Sequence, residues 1–230
     1  MDIITTWLEE KANLKEEKMS KKETSIEIEL KPIQIKEAVI TIKGKTPLIV
    51  NNFSEKSKQQ ILDAQMKKTK VKELRNPIED FIRANYWLTE MPETFDKEHF
   101  EEALKNGAEF GFPAKGIKAS IVSGAYRNGM TKDKVSLYGA FLIPEEYVKI
   151  NFEDVEMRED YVRIAHGGTD VRFRPQFNNW TMTFTIQYNE NTYSLDQIIN
   201  FINLGGFSCG LGEMRTEKGG NFGSYEVVSS

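Results

Sequence analysis

Gly205-Gly206-Phe207-Ser208-Cys209-Gly210-Leu211-Gly212-Glu213-Met214-Arg215-Thr216-Glu217-Lys218-Gly219-Gly220-Asn221-Phe222-Gly223 places seven glycines in nineteen residues. The stretch follows Ser194–Leu204, whose Ser194 and Gln197 have capping-box spacing and whose apolar residues recur at helical intervals; it leads into the strand-like Ser224–Val228. Helix, glycine loop and closing strand together predict the end of an α+β domain, with the helix ending at Gly205. Glycines let a backbone take positive φ and come close to another backbone. Interleaved with Arg215, Lys218 and Asn221 they suit an anion, because successive N–H groups in such turns form anion-binding concavities. The other reading of the same residues is a long hairpin connection with glycines at its turns.

Upstream, Trp180–Tyr188 alternates apolar and polar residues as a half-buried strand does, with Trp180 and Phe184 on its core side. Ser25–Leu30 and Glu37–Gly44 alternate in the same way, and strands are also expected at Val135–Ile143 and Tyr147–Phe152. A helix is expected to start within Phe110–Lys118 and to close at Asn128-Gly129, which places Lys115 and Lys118 near its N-terminus. Between that helix and the strand before it, residues 51–109 read as an inserted helical segment of segregated charge. Ser54–Arg75 holds seven Lys/Arg against three acids, Lys67, Lys68 and Lys70 among them; Asn76–Glu109 holds nine acids against three bases. A basic loop is expected at Arg163–Pro175, carrying His166, Arg172, Phe173 and Arg174. Residues 1–24 read as an arm or partner-binding helix, and 25–230 as the domain. The order of elements is that of a split βαβ, ferredoxin-like α+β domain with a large insertion.

Composition narrows the function classes. The net charge is −4, so a nucleic-acid site must be a local patch. One cysteine, Cys209, forms no internal disulfide, and two histidines, His99 and His166, give no zinc-type spacing; no metal or cofactor is expected. No apolar run reaches the roughly 18 residues of a membrane span, so a cytoplasmic setting without a membrane partner is expected. Walker-type phosphate loops, paired catalytic carboxylates and a Ser-His-Asp order are not recognisable.

Three segments resemble one family. Phe112-Pro113-Ala114-Lys115-Gly116-Ile117-Lys118-Ala119-Ser120, followed by Arg127, resembles the helix start of the RAMP superfamily, the repeat-associated RNA-binding proteins of CRISPR effector complexes. Gly210–Glu213 through Gly219–Tyr225 is similar to their C-terminal glycine-rich loop, and Lys45-Thr46-Pro47-Leu48 to their first-strand turn. The chain as a whole is also similar to proteins of phages and prophages of Gram-positive bacteria. The resemblance implies an RNA-recognition-type ferredoxin core and RNA binding by subunits that stack side by side. By position it puts Lys118 and Arg127 in the nucleic-acid groove and Arg215, Lys218 and Asn221 in the glycine loop. Where the family carries further glycines after the first-strand turn, this chain has Asn51-Asn52-Phe53, which argues against carried-over cleavage.

The reading is therefore a non-catalytic binder of RNA or single-stranded DNA that assembles with itself, contacting phosphates through Lys67, Lys68, Lys70, Lys115, Lys118, Arg127, Arg163, Arg172, Arg174, Arg215, Lys218 and Asn221. Phe173, between two arginines, is the base-stacking candidate. Two alternatives stand beside it. One is a counter-defence or structural protein that holds a host protein or a small nucleotide through the glycine loop. The other is a metal-independent endoribonuclease with His166 as general acid or base.

Overall fold

The computed structural model of the chain describes residues 32–52, 62–63, 65–66, 74–163 and 168–228. The chain divides into two units, Met1–Ile33 and Gln34–Ser230. The arm expected over 1–24, the strand expected at Ser25–Leu30, most of the basic stretch Ser54–Arg75 with Lys67, Lys68 and Lys70, and His166 lie outside the described residues.

The unit Gln34–Ser230 is mixed α+β, with antiparallel sheets and five α-helices among the described residues. In chain order these are β1 (Ile35–Gly44), β2 (Leu48–Ile49), α1 (Pro77–Arg83), α2 (Lys97–Lys105), β3 (Phe110–Pro113), α3 (Ala114–Arg127) and α4 (Lys134–Ala140). There follow β4 (Phe141–Leu142), β5 (Tyr147–Asn151), β6 (Asp154–Arg163), β7 (Thr169–Asn178), β8 (Thr181–Asn189), α5 (Leu195–Ser208) and β9 (Tyr225–Val227). The larger sheet runs β3-β5-β8-β1-β9, with β4 also pairing β8; the smaller runs β2-β7-β6.

The alternation in β8 does what its period requires. Met182, Phe184, Ile186 and Tyr188 are buried, while Thr183 points outward and shares a 2.9 Å hydrogen bond with Thr41 of β1. β1 pairs β8 over nine residues, from Ile35↔Asn189 to Lys43↔Thr181, so Ile40 and Ile42 stand opposite Phe184 and Met182. Ile117, Ile121, Val122 and Ala125 of α3 and Ile198, Phe201 and Ile202 of α5 join these side chains in one core. Each large apolar side chain so buried contributes about 1.5–3 kcal/mol. Trp180, just before β8, is also fully buried, and its indole N–H donates to Thr46 O at 2.9 Å.

The structure differs from the sequence expectation at four places. α5 continues through Gly205 and Gly206 to Ser208, because those glycines are where α3 and β9 pack. A Cβ on Gly206 would lie 1.9 Å from Tyr225 O. Val135–Ile143 is not one strand: Asp133 accepts hydrogen bonds from the N–H groups of Val135 and Ser136, starting α4, and only Phe141–Leu142 is extended. Phe110–Pro113 is an edge strand, and the helix starts after it at Ala114. The basic loop expected at Arg163–Pro175 is mostly strand: β6 and β7 form a ribbon paired over ten residues, from Asp154↔Asn178 to Arg163↔Thr169.

The inserted segment is tied into the core. Asn76 and Asp96 cap α1 and α2, and Phe81, Ile82 and Phe100 are buried with the sheet residues. Trp87 donates to Ile82 O at 2.8 Å and stacks edge-on against Phe110 at 4.7 Å. No helix among the described residues is long and apolar enough to cross a membrane.

Candidate nucleic-acid interface

β3 delivers the chain into α3 through Pro113, which caps the helix without a side-chain hydrogen bond. The first turns of α3 therefore separate two concavities by helical spacing. On one side Ala114, Lys115 and Lys118 line a cavity of about 280 Å3 with Ile143, Glu145 and Glu146. On the other, Gly116, Ala119, Ser120 and Ser123 line a cleft of about 250 Å3 whose far wall is the glycine loop and whose end is formed by Asn51, Tyr86 and Phe112.

Lys115 is exposed and Lys118 half-buried. The Lys118 ammonium lies 5.2 Å from the centre of the Phe141 ring, and burial lowers its pKa from the ordinary lysine value. Both lysines stand at the rim of α3, where helix N–H groups also favour anions.

The glycine loop is hydrogen-bonded to its own chain rather than open. The N–H groups of Leu211, Glu213, Glu217, Gly220, Phe222 and Gly223 donate to the carbonyls of Gly223, Ile49, Cys209, Arg215, Met214 and Pro47. Gly212 has φ +71°, and a Cβ there would lie 2.1 Å from Ile49 O. That glycine serves close packing against β2, so the anion concavity expected from the sequence is largely filled by the chain's own carbonyls.

The loop's arginine is similarly engaged. Arg215 donates from Nη1 to Gly212 O (2.9 Å) and from Nε and Nη2 to Glu217 Oε2 (3.1 and 3.0 Å), while Arg127 Nη2 donates to Glu217 Oε1 (3.1 Å). Burial pushes the Glu217 carboxyl up, but the hydrogen bonds from Arg215 and Arg127 outweigh it and hold the pKa below the ordinary value. Lys218 and Asn221 are exposed beside this clamp.

The arginines on the ribbon are placed differently from the expectation. Arg174 is buried, with Nη1 3.6 Å from Asp160 Oδ2 and Nη2 3.8 Å from Glu213 Oε2. Arg158 pairs with Asp160 at 2.7 Å, donates to Gln176, and lies over the Phe222 ring at 4.5 Å. Arg172 pairs with Asp170 at 2.7 Å, and Asp170 also accepts from Arg75 at 2.9 Å. Burial raises the Asp170 pKa, and the two arginines more than reverse this. Phe173 packs against the core with the Arg75 guanidinium 5.5 Å from its ring centre, so it is not an open stacking platform. Arg163 is exposed at the far end of the ribbon.

Asn51, Tyr86, Phe112, Ser123 and Glu213 belong to the cleft and are not among the site residues expected from the sequence. Tyr86 donates to Asn51 O at 3.4 Å and meets Phe112 edge-on at 6.5 Å. Its phenol pKa is raised, by burial first and then by Tyr147 and Glu213. No group of three or more His, Cys, Asp or Glu converges for a metal among the described residues. His99 is bound to the Asp96 carboxylate at the start of α2.

No protein-family model matches the chain, and no curated protein matches it. The reading of function rests on the geometry above and on the motifs of the sequence.

Proposed function

We propose that the protein is a non-catalytic binder of RNA or single-stranded nucleic acid, related to the RAMP superfamily, of phage or prophage type, that works in the cytoplasm and assembles side by side with copies of itself. In this reading its core is ferredoxin-like. The elements β1, α3, β5, β8, α5 and β9 follow the βαββαβ order, and the strand order β9-β1-β8-β5 is the interleaved one that two split βαβ units produce.

The observation that carries the binding function is the start of α3. A helix N-terminus without a side-chain cap bond bears Lys115 and Lys118 on one side and a cleft on the other, with Lys218 and Asn221 in the facing loop. Phosphates ride on the lysines and bases reach the cleft. Arg127, Arg172, Arg174 and Arg215 act in this reading as internal counter-charges that shape the site, since each is paired with a carboxylate of the same chain.

Fluorescence anisotropy with a labelled single-stranded RNA across a salt series tests this. The variant carrying Lys115→Glu, Lys118→Glu and Lys218→Glu is expected to bind at least tenfold more weakly, with a salt slope shallower by about 2, from roughly 0.7 per phosphate contact on a single strand. Unchanged affinity in the folded triple variant overturns the assignment. Self-assembly is read in the same samples by light scattering, where RNase treatment should reduce the molar mass.

A further inference from the structure

The cleft between α3 and the glycine loop has a charge balance opposite to that expected of a phosphate cradle. Arg215 spends its donors on Gly212 O and Glu217, and Arg127 takes the other Glu217 oxygen. Glu213 is then the one carboxylate lining the cleft without a hydrogen-bonded counter-charge among the described residues, its ion-pair partner Arg174 standing 3.8 Å away. A phosphate entering here would face a carboxylate and find most loop N–H groups already given to carbonyls. Asn51 and Ser123 are further polar residues of the lining, and Tyr86 and Phe112 its aromatic ones.

Aromatic walls, one carboxylate whose only cation stands beyond hydrogen-bond distance and one amide suit a flat heterocycle with hydrogen-bond donors on its edge. At about 250 Å3 the cleft lies just below the usual range for drug-sized ligands, roughly 300–1,000 Å3, and so is matched to a single ring system. We propose that the cleft takes one nucleobase, not a phosphate, and that Glu213 selects a base bearing an exocyclic amino group over uracil. The proposal rests on the nucleic-acid reading above and adds to it a base preference.

The chemistry of discrimination is specific. Cytosine, adenine and guanine each present an amino group that a carboxylate accepts, as Glu does from cytosine N4 in duplex recognition. Uracil offers only its ring N3–H, which lies between two carbonyl oxygens that repel an anionic acceptor. Asn51, with both a donor and an acceptor, can serve the ring atom beside the amino group. Lys115, Lys118 and Lys218 lie outside the cleft lining and would hold the backbone whatever the base.

Cytosine and uracil of equal length and charge isolate the effect. Binding of short labelled oligo(rC) and oligo(rU) to the full chain at low salt should differ on the order of tenfold in favour of oligo(rC). Glu213→Gln, which keeps the size of the side chain and replaces its charge with an amide that can also donate, should bring the two within about twofold, chiefly by weakening oligo(rC). Equal affinities in the wild-type protein overturn the base preference and leave the nucleic-acid reading standing. A preference that persists in Glu213→Gln overturns the role of Glu213. Absence of binding to either oligomer overturns the nucleic-acid reading itself.

Discussion

Gly124 of α3 and Gly205 of α5 meet with no room for a side chain between them: a Cβ on Gly124 would stand 2.5 Å from the Gly205 Cα. Beside this crossing the Ser120 hydroxyl donates to Gly205 O at 3.1 Å and lies 3.0 Å from the Tyr225 hydroxyl, which is fully buried. α3 is thereby fixed against both α5 and β9, and with it the helical wall of the cleft. Gly124→Ala should cost about 1–3 kcal/mol in urea unfolding through overpacking. Gly139→Ala in α4, where a Cβ meets nothing within 4 Å, should be neutral or stabilise by up to about 1 kcal/mol. Equal stability of Gly124→Ala and the wild-type protein would contradict the close approach.

That crossing also explains how the sequence misleads at one point. Ser194 and Gln197 announce the start of α5 because a capping box is local. Its end is not local: Gly205 has the look of a helix stop, yet the glycine is there to let α3 approach. β8 was legible because one buried face imposes period two. Val135–Ile143 was not, since a short apolar run cannot be told from helix by pattern, and the Asp133 cap decides it. Lys115 and Lys118 were legible at the start of α3 because a chain position suffices to place them. The clamp on Glu217 was not, because Arg127 comes from 90 residues away, and Asn51, Tyr86 and Glu213 are brought together only by the packed fold.

Arg174 offers a test of which cations are structural. It and Asp160 are both buried, and Arg158 supplies the second charge to the same carboxylate. Removing one member of a buried pair leaves the other charge uncompensated. Arg174→Ala should therefore destabilise the domain on the order of 3 kcal/mol, the lower end of the usual cost because Arg158 remains. Chemical unfolding measures this, and a change below about 0.5 kcal/mol, as at an ordinary surface site, would place Arg174 outside the buried network.

Glu217 should give the stability curve an acidic limb. Its folded pKa lies below the ordinary 4.5, so its contribution is fully present above pH 4.5 and is lost as the pH falls through the folded value. Glu217→Gln removes the charge from the contacts to Arg127 and Arg215 and should cost about 1–3 kcal/mol near neutral pH. The gap between variant and wild-type protein should then narrow on acidification below pH 4.5. A gap that stays constant across that range would mean that the carboxylate charge contributes nothing to the clamp.

Arg215 and Lys218 lie three residues apart in the same loop, yet the geometry assigns them opposite behaviour. Arg215 holds Gly212 O and Glu217 together, whereas Lys218 is exposed and shows no ion pair with a described residue. Arg215→Ala should lower stability by about 1–3 kcal/mol through the loss of charged hydrogen bonds. Lys218→Ala should leave stability within about 0.5 kcal/mol, weaken binding of single-stranded RNA, and reduce the salt slope by roughly 0.7. Measuring unfolding and RNA affinity on both variants separates the two roles: binding loss in Lys218→Ala at unchanged stability assigns the loop a direct contact. If Lys218→Ala binds as the wild-type protein does, the loop acts only as the packed wall of the cleft and holds no backbone phosphate through Lys218.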